Sequence, residues 1–358
     1  MDNFFKGLTI IELSSVLAGP SVGMFFAELG ANVIKIENST TGGDVTRNWK
    51  NSCEIASETN EISAYFAAVN YGKKHVFLDL KDPKQKIQLG EYVKTADIIT
   101  TNLKLGDAEK LGLTYDYFCS LKRDIIQCQL FGFESDKSRP AFDAVLQGET
   151  GYMNMNGHPN SPPTKMPVAL IDVIAGHQMK EALLIALLKL EKECLGSYIE
   201  VSLEASAISS LVNQATNWLM SGLEAKRNGS LHPNIAPYGE TYQCSDGKWL
   251  VLAIGNDKQF NNLIKILGNK ELDNNEYSKN QNRITNRKKL NKVLTLSFQQ
   301  KERDQILKEL LKARIPAGAI NSMEEVFEGK TAQNMLLKED LNGTQTIRPS
   351  SIAFHFSD

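Results

Sequence analysis

Short runs of β-branched and aliphatic residues alternate, through the first half of the chain, with longer stretches whose apolar positions recur at helical spacing. The run at 8–13 predicts a strand, 14–20 a turn, and 21–29 a helix that Gly30 stops. Residues 32–37 predict a second strand, so the chain opens as a βαβ unit with proline near its helix start and glycine at its end. The polar stretch 38–60, with Gly42-Gly43-Asp44, predicts a loop at the C-terminal end of that strand, the side on which open α/β sheets bind ligands. Further strands are predicted at 75–80, 97–101, 125–131 and 198–203. Helices are predicted at 83–95 behind an Asp82-Pro83 cap, at 108–111, 115–121 and 205–221, and, broken by glycines, within 139–157. This alternation predicts an α/β fold with a Rossmann-like, doubly wound, mostly parallel sheet.

The pattern changes after residue 221. Residues 224–237 are polar, carry two prolines and predict a linker. Beyond it, 239–244 and 248–254 flank Ser245-Asp246-Gly247, a hairpin signal. Helices at 257–267, 287–299 and 301–313, with a polar loop at 269–286, predict a smaller α+β unit. A helix-like stretch at 323–337 and an extended one at 348–357 follow.

One junction concentrates candidate chemistry. Residues 167–171 are a short apolar run, then come Asp172, Ala175-Gly176 and a long apolar helix at 179–190. An acid buried at such a strand–helix junction loses hydration unless a partner offsets the loss. Asp172 is therefore either a helix N-cap, which local sequence favours, or a reactive group at the mouth of a site.

Composition narrows the function classes. The 358 residues carry a formal net charge of −2, which gives no basic field for nucleic acid. No apolar run approaches the roughly 20 residues of a membrane span. The first residues, MDNFFKGLTIIEL, lack the basic region of a secretory leader, and the five scattered cysteines include no CxxC. Both features predict reduced thiols in the cytoplasm. The five histidines form no HxxxH or HExxH, so no metal site is predicted. Glu37 ends the second strand as a ribose-binding acid would, but Gly19-Pro20-Ser21-Val22-Gly23 is not GxGxxG, and Pro20 lacks an N–H that a pyrophosphate could use.

Seven motifs in order carry a resemblance: GLTIIELSSVLAGPSVGMFFAELGANVIKIE, LDLKDP, ITTNLKLGDAEKLGLTYDYF, RPAFDAVLQGETGYM, ALIDVIAGHQ, HPNIAPYGETYQCSDGKWLVLAIGND and RIPAGAIN. Together they resemble the family III CoA-transferases, the formyl-CoA and carnitine CoA-transferase type, whose fold the 2-methylacyl-CoA racemases share. The resemblance implies a large CoA-binding domain (1–222 with 326–358), a small domain (223–325) on two linkers, and an interlocked homodimer. It implies that Asp172 attacks an acyl-CoA thioester, forming a mixed anhydride and then an aspartyl-CoA thioester that a carboxylate acceptor resolves in reverse. The oxyanions of these steps need backbone N–H donors, which helix starts at Pro20 and after Asp172 would offer. By the same resemblance, Val16, Leu17 and Ala18 line the pantetheine end. Asn38, Leu78, Lys81, Asn102, Leu103 and Lys104 meet the nucleotide. Lys110 takes the place of a phosphate-binding arginine, and Arg139 substitutes for a basic residue that falls at Pro140. Coenzyme A, carried as acyl-CoA, is the implied cofactor; no metal, nucleic acid or membrane is.

The sequence departs from parts of that pattern. Leu17 stands where the formyl-CoA branch has glutamine, and 232–239 replaces its glycine-rich loop. Three rival readings remain: a racemase, an inactive CoA-binding homologue and a dinucleotide oxidoreductase. A racemase needs two bases, and its GHD-type motif reads Ala141-Phe142-Asp143 here. His177, one helical turn past Asp172, is the residue left to replace the lost histidine.

Overall fold

β1 (Thr9–Leu13) is the pivot of a sheet. It pairs in parallel with β2 (Asn32–Asn38) on one side and β4 (Ile98–Thr101) on the other. β3 (Lys73–Leu78), β5 (Ile126–Phe131) and β6 (Ser197–Ser202) complete six parallel strands in the order β3-β2-β1-β4-β5-β6. The computed structural model describes residues 3–57, 62–341 and 343–357. Alternation along the strands divides the sheet into two apolar faces. Ile10, Val33, Ile98 and Ile126 pack with α1 (Ala18–Glu28), α5 (Leu170–Glu193) and α6 (Leu203–Ser209). Ile11, Leu13, Ile34, Ile36 and Ile99 pack on the opposite face with α2 (Pro83–Lys94) and α3 (Tyr115–Leu121). Asp82 caps α2 through its side chain, as its sequence predicts. The fold is therefore mixed α/β around a parallel sheet covered on both faces.

Contacts divide the chain into two units. One comprises Met1–Met153, Lys165–Ala225 and Thr331–Asp358; the other comprises Asn154–Thr164 and Lys226–Lys330. Within the second, β7 (Tyr238–Gln243), β8 (Trp249–Ala253) and β9 (Ala317–Ala319) form an antiparallel sheet. Leu250, Leu252, Phe260, Leu290 and Phe298 join that sheet to its helices in one core. Arg283, fully buried there, is satisfied by the carbonyls of Ala236 and Tyr277 and by Asp257.

Several elements differ from their expectation for physical reasons. α1 begins at Ala18, because Pro20 fits a first turn whose N–H groups need no helical partner. The apolar run before Asp172 is no strand: 167–169 are irregular, and α5 starts at Leu170 and takes in the last two residues of the run. The helix expected over 205–221 breaks into α6 and α7 (Val212–Ser221), with the Ser210 hydroxyl turned back onto the Ser206 carbonyl at 3.0 Å. The polar loop 269–286 holds helical turns and a helix at Asn280–Thr285. In 38–60 the side chains of Asn38 and Asp44 cap short 3-10 turns, and Ser52–Ser57 is helical; residues 58–60 lie outside the described residues. The stretch 323–337 gives two short helices, Met323–Glu328 and Lys330–Asn334, and then β10 (Leu336–Leu341), which pairs with β11 (Thr344–Pro349).

Candidate active site

The C-terminal ends of β1 to β4 enclose a cleft of about 420 Å³. It lies where the strand order reverses, between β1 and β4, the position at which open parallel sheets bind ligands. Asn38, Leu78, Lys81, Asn102, Leu103 and Lys104 all line it. Glu37 lines it too, but its carboxylate is already taken by Arg47 (2.6 and 2.7 Å), His75 (2.8 Å) and the Asp44 N–H (2.8 Å). These bonds hold its pKa well below the ordinary carboxylate range against the effect of burial and leave it ill-suited to grip a ribose.

Between the cleft and α1 runs the turn Ser14–Leu17. Strand alternation points Glu12 and Lys35 to the α1 face, where Lys73 joins them. The Lys35 ammonium meets Glu12 at 2.9 Å, Asp44 at 3.1 Å and the Ser14 carbonyl at 2.7 Å. The Lys73 ammonium meets Glu12 at 2.9 Å and the Pro20 carbonyl at 2.8 Å. Burial works against the charge on Lys35, but Glu12 and Asp44 outweigh it and raise its pKa. Asn102 bonds Ser15 in both directions, at 3.1 and 2.9 Å. The Val16 N–H donates to both oxygens of Asp44, at 3.2 and 3.4 Å. Val16 itself sits at φ 75°, where a β-branched residue is an outlier costing on the order of 1–3 kcal/mol. The first amides of α1 receive no side-chain cap.

Asp172 is the third residue of α5 and is 7% exposed. It does not cap its helix. Asp143, first residue of α4 (Asp143–Glu149), does so from another part of the chain: its Oδ1 accepts from the Ile171 N–H at 2.7 Å and the Asp172 N–H at 3.4 Å. The Gln147 amide donates to the other Asp143 oxygen at 2.6 Å. Burial, then the charge of Asp143, raises the Asp172 carboxyl to about 7. This lies well above the ordinary carboxylate range. Tyr65, half-buried, has its phenol pKa raised by burial first and then by the charges of Asp172, Asp143 and Asp44.

Helix packing brings Asp172 to the turn. At Gly176, one turn on, a Cβ would stand 2.4 Å from Ser21 Oγ and 3.2 Å from the Ala18 carbonyl oxygen. Further along, the Lys180 ammonium lies 5.4 Å from the Phe25 ring centroid. α1 and α5 thus run side by side in the same direction, and the i, i+4 relation to Gly176 sets Asp172 against the turn that precedes α1. Val16, Leu17 and Ala18 occupy that turn and helix start rather than the cleft lining.

Two expected contacts lie elsewhere. The Lys110 side chain is 81% exposed, 3.6 Å from Asp107, and outside the cleft lining. Arg139 pairs with Glu149 and covers the Phe133 ring at 3.9 Å. His177 is exposed on α5. Asp44, Tyr65 and Asp143 are the site residues that the sequence reading did not select. Their roles depend on partners far along the chain, although Gly42-Gly43-Asp44 did mark the correct loop. No group of side chains suited to a metal ion occurs among the described residues.

The fold is a parallel α/β sheet with a cleft at its reversal point and a buried acid near it, the arrangement in which open α/β sheets bind ligands. Comparison with known proteins gives the family. The sequence model of CoA-transferase family III matches residues 5–358. A succinate–glutarate CoA-transferase of Agrobacterium fabrum is 35% identical over 94% of this chain and 84% of its own length. The human succinyl-CoA:glutarate CoA-transferase is 33% identical over 93% of this chain and 76% of its own. A crystal structure of a CaiB/BaiF family protein from Brucella suis shares 34% identity and a TM-score of 0.85, covering 100% of this chain and 94% of that one. The chain belongs to CoA-transferase family III and is an enzyme of that class.

Proposed function

We propose that this protein moves CoA from an acyl-CoA thioester to a free carboxylic acid through a thioester on Asp172. The Asp172 carboxylate attacks the donor carbonyl and expels the CoA thiolate, giving a mixed anhydride. The thiolate attacks the aspartyl carbonyl, releasing the donor acid and leaving the enzyme thioester. The acceptor carboxylate attacks that thioester and expels the CoA thiolate, giving a second mixed anhydride; the thiolate then attacks the acceptor carbonyl, forming the new acyl-CoA and releasing the Asp172 carboxylate. The uncapped amides at the start of α1 are suited to the oxyanions. The cleft at β1–β4 takes the nucleotide, with Lys81 and Lys104 facing its phosphates. The names of the relatives make succinyl-CoA and glutarate the first donor and acceptor to try.

The observation that carries this reading is the buried Asp172, raised to about 7 and set against that turn. With acyl-CoA present, borohydride reduction and peptide mapping should mark the peptide holding Asp172, and Asp172→Ala should abolish transfer. An unmarked peptide under turnover would refute the covalent route. Racemisation is disfavoured: Phe142 and the exposed His177 supply no second base. A 2-methylacyl-CoA held in D₂O should therefore gain no deuterium at the 2-carbon.

The same reading proposes a cytoplasmic enzyme, a large domain of 1–222 with 326–358, a small domain of 223–325, and an interlocked homodimer. Ile185 and Leu188 on α5 and Val212, Trp218, Leu219 and Met220 on α7 are exposed apolar side chains that a second copy would cover.

A further inference from the structure

The turn before α1 contains a backbone conformation that its own residue disfavours. Val16 lies at φ 75°, where a branched Cβ crowds the backbone. Such a conformation persists only where its surroundings over-determine it. Here the surroundings are specific. The Val16 N–H is held by the Asp44 carboxylate, which also accepts from the Thr46 N–H at 3.0 Å and the Thr46 hydroxyl at 2.8 Å. Lys35, fully buried, holds Asp44 Oδ2, the oxygen nearer the Val16 N–H, at 3.1 Å and the Ser14 carbonyl at 2.7 Å, while Thr46 holds Oδ1. Asp44 is thus fixed by the protein before any ligand arrives, and one of its few remaining tasks is the Val16 amide.

We propose that Asp44 is a positioning residue for the reaction at Asp172: anchored on Lys35, it holds Val16 left-handed and so fixes the start of α1, against which Asp172 packs. The inference rests on the transfer chemistry proposed above. The geometry that links them is continuous. Val16 precedes Leu17, the N-cap position of α1, and Ala18 in the first turn of α1 lies against Gly176, one turn from Asp172. Without Asp44, Val16 would relax toward negative φ and carry Leu17 and Ala18 away from the reacting carbonyl. Misplacement on the scale of 1 Å costs about 10²-fold in rate.

A double-mutant cycle tests this through the rate at which one equivalent of acyl-CoA forms the Asp172 adduct, read by mass spectrometry, together with the affinity for free CoA. Asp44→Ala should slow adduct formation by about 10²-fold while changing CoA affinity far less. Glycine has no Cβ to strain at φ 75°, so in a Val16→Gly background the loss caused by Asp44→Ala should shrink to less than about tenfold. Asp44→Asn, which keeps an acceptor for the Val16 N–H, should lie between wild type and Asp44→Ala. Equal losses in both backgrounds, or an Asp44→Ala protein as fast as wild type, would overturn the inference. If Asp44→Ala does not fold, Asp44→Asn takes its place: its smaller loss should shrink in the Val16→Gly background, and a loss that is equal in both backgrounds, or absent in both, would overturn the inference. A wild-type protein that forms no adduct would defeat the reading of Asp172 instead. The inference is then judged by a crystal structure of the Asp44 variant, in which Val16 must leave the left-handed region for it to stand.

Discussion

Near pH 7 the Asp172 carboxyl is divided between its two forms, and only the ionised form attacks a thioester. If Asp172 is the nucleophile, kcat/KM should rise with pH along an acid limb centred near 7. Asp143 contributes to that elevation by like-charge repulsion, so Asp143→Asn should lower the Asp172 pKa and move the limb to lower pH. The asparagine oxygen can still accept from the Ile171 N–H, which separates the charge effect from loss of the cap. A limb that stays in place would show that burial alone sets the value. The raised pKa also has a stability sign. A buried carboxyl that prefers its neutral form favours folding below its unfolded value near 4, and this advantage is lost as pH rises through 7. Asp172→Asn should therefore stabilise the protein at pH 8 and not at pH 4, by up to about 4 kcal/mol from three units at ~1.4 kcal/mol each. Denaturant midpoints at the two pH values measure it. At this scale the sequence exposed Asp172, because an acid in an apolar run is locally conspicuous. Asp143 was invisible as its neighbour because the contact closes over 28 residues of chain.

Among elements, the pair α1 and α5 decides the site. Their approach is as close as Gly176 allows, with Ser21 Oγ and the Ala18 carbonyl filling the space of a Cβ. Gly176→Ala should destabilise the fold by about 1–3 kcal/mol, as overpacking does, and should lower kcat more than it raises KM, since the first turn of α1 is displaced. Ser21→Ala in the same protein removes the nearer obstruction and should recover part of the stability. A Gly176→Ala protein of wild-type stability would mean that the helices can separate freely. The strands were legible because β1, β2, β4 and β5 concentrate aliphatic and β-branched residues between polar turns, and the central sheet buries them on both faces. The start of α5 was not legible, because its cap is supplied by a residue outside the local sequence. Likewise 336–341 reads as helix until its pairing with Thr344–Pro349 makes it a strand.

For the whole molecule, the sequence motifs were specific enough to identify the family over nearly the full chain, and residues 5–358 match it. They were less able to locate every contact. Six of the expected nucleotide residues converge on one cleft, while Lys110 and Arg139 are engaged by Asp107 and Glu149. Charge type is readable from sequence, but the direction of a long exposed side chain is not. At this scale the exposed apolar residues of α5 and α7 give the remaining test of assembly. Sedimentation over a range of concentrations should show a dimer that does not yield folded monomer on dilution. A folded monomer at micromolar concentration would rule out interlocking.

The clamp on the turn before α1 has a consequence in time. Glu12, Val16, Lys35, Asp44 and Lys73 all belong to the opening stretch of the chain, and Asn102 follows soon after. During synthesis these residues emerge well before Asp143 and Asp172. The bonds of this clamp need neither Asp143 nor Asp172, so the receiving half of the site is a mould that closes on its own contacts and into which the acid is set. Refolding should keep the same order: in pulse-labelled hydrogen exchange, the Val16 amide, held by Asp44, should become protected no later than the Ile171 amide, held by Asp143. Protection of Ile171 first would show instead that the acid's helix is the template and the turn is cast around it.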